Sequence, residues 1–209
     1  MAGLGTYTLL KASVIDWMNR SGFTALEDNV EDFIAMAQRR IHRTCDLNCM
    51  ETVLATFSLS GATYATPTGF LRAKTITIQD GTSYFEINGA AYKKVVQAGT
   101  SDRPRYYSVI GDNFHFGPTP DQAYTVEVVY YKELDILSST TATNWLSTNV
   151  PELLLFGALI YAAKWAKDDV RVKEFTAEYE RIRIELMESE TRQDREGGSL
   201  QVRRTNDEV

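Results

Sequence analysis

The sequence predicts an α+β protein in which a helical bundle is interrupted by an inserted antiparallel β-sandwich or barrel. Three observations support this class. Apolar residues recur every three or four positions before Cys49 and after Glu133, they alternate with a period of two between these residues, and one late helix is apolar on all sides. We therefore predict a bundle domain of about four helices over 1–48 and 134–196. The β-domain is predicted over 49–133, and a flexible, extended C-terminal tail over 197–209.

The stretch 149–167 is predicted to be the core helix of the bundle. From Leu153 to Ala163 the chain carries no charge, so apolar side chains cover the whole circumference of the helix. Such a helix is either buried or in lipid. The run before Lys164 is too short to cross a bilayer, which needs about 20 apolar residues. We expect Leu155 and Leu159 to be nearly fully buried against the first two helices.

Local signals predict where the helices begin and end. The segment 149–152 places an asparagine three residues before a glutamate, with a proline between them, as in a capped first turn. Gly22 is positioned to end the first helix. Asp28 or Asn29 is positioned to cap the second.

Three further helices are predicted to bury one face each, over about 6–19, from 29 or 30 onward, and from 169 to about 193. The last is densely charged on its other faces, as expected for a solvated surface. The apolar stripes are Tyr7, Leu10, Val14, Trp17 and Met18; Val30, Phe33, Ile34, Ala37 and Ile41; and Val172, Phe175, Tyr179, Ile182 and Leu186.

Short alternating runs separated by turn residues predict the strands of the β-domain. Gly111-Asp112 marks a hairpin. The segment 88–97 fits either a short helix or a strand, and we favour the helix. The predicted strands are 53–59, 70–79, 83–87, 105–110, 113–116 and 124–132, and the predicted core residues are Phe57, Ile76, Ile78, Phe85, Val126 and Val128.

Charge and chemistry favour an interaction role. The net charge is −6 and the pI is about 5.1, which argues against binding nucleic acid by neutralising phosphates. His42 and His115 are interpreted as structural or surface residues. Cys45 and Cys49 lack the further ligands that a zinc site requires, and no secretory leader is predicted at the N-terminus. We predict no catalytic, cofactor or metal site.

Segments along nearly the whole chain resemble the head-to-tail adaptor proteins of tailed bacteriophages. The order and spacing of these segments carry the resemblance, although the family more often has glutamate at the position of Gln38. The segments are VIDWMNR (14–20), FIAMAQRRI (33–41), ME (50–51), YY, GD and PTP within 106–120, VEVVYYK (126–132), TNWL (143–146) and PELLLFGAL (151–159).

The resemblance implies a non-enzymatic structural protein at the head-tail junction of the virion, made in the host cytoplasm. It implies a homo-oligomeric ring, a dodecamer matching the portal ring, which contacts the portal protein and the tail nozzle or tail-tube protein. DNA would pass through its acidic channel without sequence-specific binding. The protein would carry no cofactor.

The tail has two readings. From composition alone, it is a solvated, idle segment. The resemblance instead implies that it binds the portal, with Leu200 and Val202 alternating along an added strand. The candidate portal-binding residues are Gly197, Gly198, Ser199, Leu200, Gln201, Val202, Arg203 and Arg204.

Two other classes of function stay open. A glycan- or host-receptor-binding tail module, built as a β-sandwich on a helical base, would present aromatic residues beside Asp or Asn on a concave face. Trp17, Trp145 and Trp165 instead lie in or next to predicted helices. A wall hydrolase would need two carboxylates in a cleft of the β-domain, one with a raised pKa.

Overall fold

The computed structural model describes residues 4–19, 22, 24–99 and 101–197, with side chains up to residue 192. It has mixed helices and antiparallel sheets, which confirms the predicted α+β class. The chain forms two compact units. We call Met1–Asn48 with Asp135–Val209 the helical unit, and Cys49–Leu134 the β unit.

The described part of the helical unit contains six helices rather than about four, because two single-turn helices accompany the longer ones. The central helix, α6, packs against α7, α3 and α1. The helices are α1 (Tyr7–Met18), α2 (Thr24–Glu27), α3 (Val30–Thr44), α5 (Trp145–Asn149), α6 (Pro151–Trp165) and α7 (Asp169–Gly197); α4 lies in the β unit.

Helix α6 is the core of the helical unit, as predicted. Leu155 is 3% exposed and Leu159 is fully buried. Gly157 lies where α6 meets α3, since a Cβ at this position would be 2.9 Å from the Cβ of Ala37. A side chain of ordinary size here would push the two helices apart. The buried residues of α6 are Leu153, Leu154, Leu155, Gly157, Ala158, Leu159, Ile160, Ala162 and Ala163.

The predicted cap of α6 is wrong, although the predicted proline in its first turn is confirmed. Val150 is the N-cap residue, and no side chain caps this helix. Asn149 instead ends α5, where its amide donates to the carbonyl of Trp145. A reciprocal capping box does occur one helix earlier, between Asn144 and Ser147. The spacing of Asn149 and Glu152 therefore resembles a capping box, but the two residues do not form one.

Two other helix ends also differ from the prediction. Asn19, with φ of 51°, ends α1 in the left-handed conformation, which asparagine tolerates. Gly22 therefore lies beyond the end of the helix. Asn29 is the N-cap residue of α3, one of the two predicted, but its side chain donates back to the carbonyl of Ala25 and makes no capping bond.

The predicted apolar stripes of α3 and α7 are largely confirmed. All five stripe residues of α3 are buried. On α7, Phe175 and Tyr179 are buried, whereas Val172, Ile182 and Leu186 are half-buried. Helix α7 runs to Gly197, beyond the predicted end near residue 193.

The β unit is a sandwich of two four-stranded sheets, in the strand orders β1-β8-β3-β4 and β2-β7-β6-β5. All pairings are antiparallel except the short parallel pairing of β5 with β6. The strands are β1 (Glu51–Leu59), β2 (Thr63–Ala65), β3 (Phe70–Asp80), β4 (Ser83–Glu86), β5 (Asn88–Gly89), β6 (Tyr106–Ile110), β7 (Asn113–Gly117) and β8 (Tyr124–Lys132).

Both sheets contribute to one hydrophobic core. Of the predicted core residues, Ile76, Ile78, Val126 and Val128 are buried, while Phe57 is only partly buried. Phe85 was predicted wrongly, because its ring lies under the guanidinium of Arg103 outside this cluster. The core residues that the prediction omitted are Leu59, Ile87, Phe114, Phe116, Tyr124 and Tyr130.

The ambiguous segment 88–97 contains both alternatives. Its first residues form strand β5, and its second half forms helix α4 (Tyr92–Gln97). Strands β1 and β8 are neighbours, with Glu51 paired to Tyr131. The first and last strands of the β unit therefore bring its two chain ends to the same end of the sheet, as expected for an insertion.

We expect Leu159→Ala to lower the free energy of unfolding by about 2–5 kcal/mol, because it opens a cavity at a fully buried position. The measurement is urea denaturation followed by circular dichroism. Ile184→Ala, at a position on α7 that is 50% exposed, is the matched control and should change the value by less than about 0.5 kcal/mol. Equal midpoints for Leu159→Ala and wild type would contradict the assignment of α6 as the core.

Gly117→Ala should destabilise the β unit by about 1–3 kcal/mol, the usual cost of overpacking. A Cβ at this position would lie 2.1 Å from the carbonyl oxygen of Val95, so α4 would have to move away from β7. Gly61→Ala is the control, because its Cβ would meet no atom of the described residues within 4 Å. Hydrogen exchange should show faster exchange in α4 for Gly117→Ala alone; unchanged protection would refute the close approach.

Candidate interaction surfaces

The histidines and cysteines are placed as structural residues. His42 is 2% exposed, and His115 lies edge-on to the ring of Tyr92 at a centroid distance of 5.2 Å. Cys45 is buried and Cys49 half-buried; burial raises the pKa of the Cys45 thiol. Within the described residues, no three His, Cys, Asp or Glu side chains are grouped to hold a metal ion. No helix in the same part of the chain is long and apolar enough to span a membrane.

The predicted portal-binding tail falls almost entirely outside the described residues. Gly197 is the last residue of α7 rather than the first residue of an extended tail. The other predicted residues, Gly198, Ser199, Leu200, Gln201, Val202, Arg203 and Arg204, lie beyond the described range, and their role stays a prediction.

An aromatic cluster reaches the surface of the helical unit at Trp17. This residue was predicted to be on the buried face of α1, but its side chain is 51% exposed. Its ring meets Phe156 edge-on at 5.4 Å and Phe175 at 6.3 Å, so α1, α6 and α7 each contribute one aromatic ring. Edge-to-face contacts of this kind hold the rings in place. The cluster thus presents a rigid, half-exposed indole to solvent.

A groove between α6 and α7 also involves Phe156. Ile182 and Leu186 on α7 contribute apolar side chains to its lining, and Glu152 and Arg181 contribute charged ones. Ile182 and Leu186 are only half-buried, although both belong to the apolar stripe of α7. Mixed apolar and charged surfaces of this type are common where proteins bind one another. Together with Trp17, we call these residues the α6–α7 surface.

Ion pairs fix the geometry of α7. Arg181 bridges Glu178 at 2.9 Å and Glu185 at 2.7 Å on the exposed face. Glu180 accepts from both Arg183, at 2.7 Å, and Arg40 of α3, at 3.1 Å. The first set is exposed and contributes little to stability, whereas the second joins two helices across the unit.

Gln38 is a buried polar residue whose role was not evident from the sequence. Its side-chain amide donates to the carbonyl of Asp135 at 2.7 Å, and its carbonyl oxygen accepts from the backbone N–H of Leu137 at 3.1 Å. The amide thus holds in place the non-helical segment that follows the β unit in the chain. An ionised glutamate at this position could accept a hydrogen bond but could not donate one.

The main surface feature of the β unit is helix α4. Val95 is buried beneath it, while Tyr92 and Val96 remain 45% and 60% exposed on one side of the helix. Lys93 and Lys94 lie on the same short helix. An apolar groove on one side and a basic edge on the other therefore share this element.

Exposed apolar side chains on both units, such as Trp17, Tyr92 and Val96, are typical of a protein that binds other proteins. A profile of the SU10 adaptor protein family matches residues 5–204, and a search of curated proteins returned no match. The chain belongs to the SU10 adaptor protein family. The predicted resemblance is confirmed, and the protein is a bacteriophage adaptor with a structural role in the virion.

Tyr179 should make the protein sensitive to alkaline pH. Burial, followed by the nearby Cys45, raises the pKa of Tyr179 from 10 to about 12. In the unfolded chain the phenol ionises near pH 10, whereas in the folded chain it stays neutral until about pH 12. Its contribution to stability is therefore complete below pH 10 and is lost as the pH rises from 10 to 12.

The test measures the free energy of unfolding across this pH range for Tyr179→Phe and wild type. Tyr179→Phe should show a shallower fall, because one of the shifted phenols is gone. Tyr84→Phe, at a position that is 69% exposed, serves as the control and should follow the wild-type curve. Identical slopes for Tyr179→Phe and wild type would show that this phenol does not resist ionisation.

Proposed function

We propose that this adaptor forms a ring that joins the portal to the tail and continues the DNA channel. In this proposal the ring is a homo-dodecamer that matches the portal, it acts without catalysis or cofactor, and it lies at the head-tail junction. The match to the SU10 adaptor family over residues 5–204 is the observation that carries the proposal.

The extent of the match supports a role for the tail. It reaches residue 204 and so includes every predicted portal-binding residue from Gly197 to Arg204. A tail that binds nothing can have almost any sequence. A segment that pairs as a strand with a partner's sheet needs particular side chains at alternate positions. Leu200 and Val202 provide two such positions, separated by the strand period of two.

The α6–α7 surface supports side-by-side packing in the ring. A closed ring is built from one head-to-tail interface repeated around an axis, so each subunit must present two different complementary surfaces. Trp17 and the groove lined by Ile182 and Leu186 offer one apolar surface of the required kind. Aromatic residues held rigidly at a surface are frequent anchors of protein interfaces.

The charge of the chain fits a channel for DNA. With a net charge of −6, an assembled ring repels the phosphate backbone rather than trapping it. DNA contacts of this kind carry no sequence specificity, because no bases are read.

Deleting residues 198–209 should leave the thermal unfolding of the isolated protein unchanged and greatly reduce its binding to purified portal rings. Leu200→Ser with Val202→Ser tests the apolar positions in the full-length chain, and Arg203→Ala with Arg204→Ala is the matched pair that tests charge. Native mass spectrometry measures both loading and stoichiometry.

Twelve copies per loaded portal ring would support the dodecamer, and another fixed number would refute it. If the truncated protein loads onto portals with wild-type affinity, the tail does not bind the portal. If full-length protein does not load at all, the proposed junction role itself is wrong.

A further inference from the structure

Helix α4 creates a groove on the outer face of the second sheet. Gly117 of β7 lets the helix lie against the strand, because its missing side chain leaves room for the carbonyl of Val95. His115, two residues earlier on the same strand, points to the same face and contacts Tyr92. The groove runs beside α4, with Thr63 of the edge strand β2 in its lining.

Two exposed apolar side chains form the wall of this groove. Tyr92 and Val96 are four residues apart, so they share one side of α4. Val95, the adjacent residue, takes the buried position under the helix at 3% exposure, which leaves the other two in solvent. Tyr92 and Val96 therefore leave apolar surface in contact with water, and a bound partner would bury that surface.

Basic side chains lie on the other side of α4, where Lys93 and Lys94 line a second depression beside Tyr106. Lys94 places its Nζ atom 4.0 Å from the ring centre of Tyr106, and Arg103 places its guanidinium 3.5 Å from that of Phe85. Such cation–π contacts position a charge without neutralising it. Arg105 is different, because it pairs with Asp102 at 2.8 Å.

These cations lack the carboxylate partners that are common elsewhere in the chain. Among the described residues, Lys93, Lys94 and Arg103 form no ion pair, whereas Arg181 and Arg183 on α7 are each paired. A protein of net charge −6 therefore keeps two uncompensated positive charges on one short helix, with a third at Arg103 in the loop that follows it. They are complementary to an acidic partner.

We propose that the α4 surface, defined by Tyr92, Lys93, Lys94, Val96 and Arg103, binds a segment of another virion protein in which carboxylates flank one or two apolar side chains. The apolar side chain enters the groove beside Tyr92 and Val96, and the carboxylates meet the three cations. The inference rests on the proposed function in one respect, since it takes the partner from the virion.

The combination of groove and charge favours protein over DNA. Phosphates would satisfy the cations but would gain nothing from the apolar wall, and the net negative charge of the chain opposes a polyanion. An acidic protein segment uses both features. Charge complementarity then gives specificity and apolar contact gives most of the affinity.

The test complements a phage that lacks this gene with plasmid-borne variants. The variants are Lys93→Glu with Lys94→Glu, and Val96→Asp; the matched controls are Lys132→Glu and Val53→Asp. Val53, on β1, matches Val96 in exposure, since its side chain is 59% exposed and that of Val96 is 60% exposed. Circular dichroism and thermal unfolding of each purified variant establish that it folds.

Both α4 variants should fold as wild type and lower the yield of complete particles by at least about tenfold, as expected for the loss of one strong interface contact. Both controls should stay within about twofold of wild type. Incomplete particles should accumulate. Second-site mutations that restore assembly to the double variant Lys93→Glu with Lys94→Glu should replace an Asp or Glu of another virion protein.

Each remaining outcome has one meaning. Normal assembly by both α4 variants overturns the proposed surface. Suppressor mutations within this chain, together with a changed number of subunits per ring, would show that a second copy of the chain occupies the α4 surface instead. If only the lysine reversal matters and it weakens binding of the purified protein to a short DNA duplex in a salt-dependent way, the surface binds DNA. If loss of the gene leaves head-tail joining intact, the proposed function fails independently of this surface.

Discussion

The burial of helix α6 is the constraint on which the helical unit depends. A helix with apolar side chains on every side has no face that tolerates water, so other helices must cover it all round. Helices α1, α3 and α7 do this, each with a single apolar stripe. Gly157 lets α3 approach closely, and the Arg40–Glu180–Arg183 pairs join α3 to α7 beside the core.

The β unit meets a different constraint and leaves a different surface. Its two sheets bury one face each against the other, so their outer faces must be polar, covered or used for binding. Helix α4 covers part of one outer face at Gly117 and leaves Tyr92 and Val96 beside a set of unpaired cations. The helical unit likewise leaves Trp17 half-exposed. Such surfaces suit a protein whose role is to join others in a virion.

Sequence reasoning succeeded where a pattern repeats over many residues. The stripe of α3, the uniform burial of α6 and the strand β8 all follow from periodicity, because every residue reports on the same face. It failed at single positions. Asn149 has the identity and spacing of a cap, yet it is the last residue of α5, and α6 begins without a side-chain cap. Phe85 looked like core, but Arg103 covers it at the surface.

The sequence by itself determined the α+β class, the central helix and the membership of the adaptor family, since these depend on composition, period and order along the chain. Only the tertiary structure decided which side chains remain exposed. The exposure of Trp17 and Val96, and the pairing of Arg40 with Glu180, depend on neighbours that are distant in sequence, and no local pattern contains them. The candidate binding surfaces belong to this second group, because a surface is defined by what the rest of the fold fails to cover.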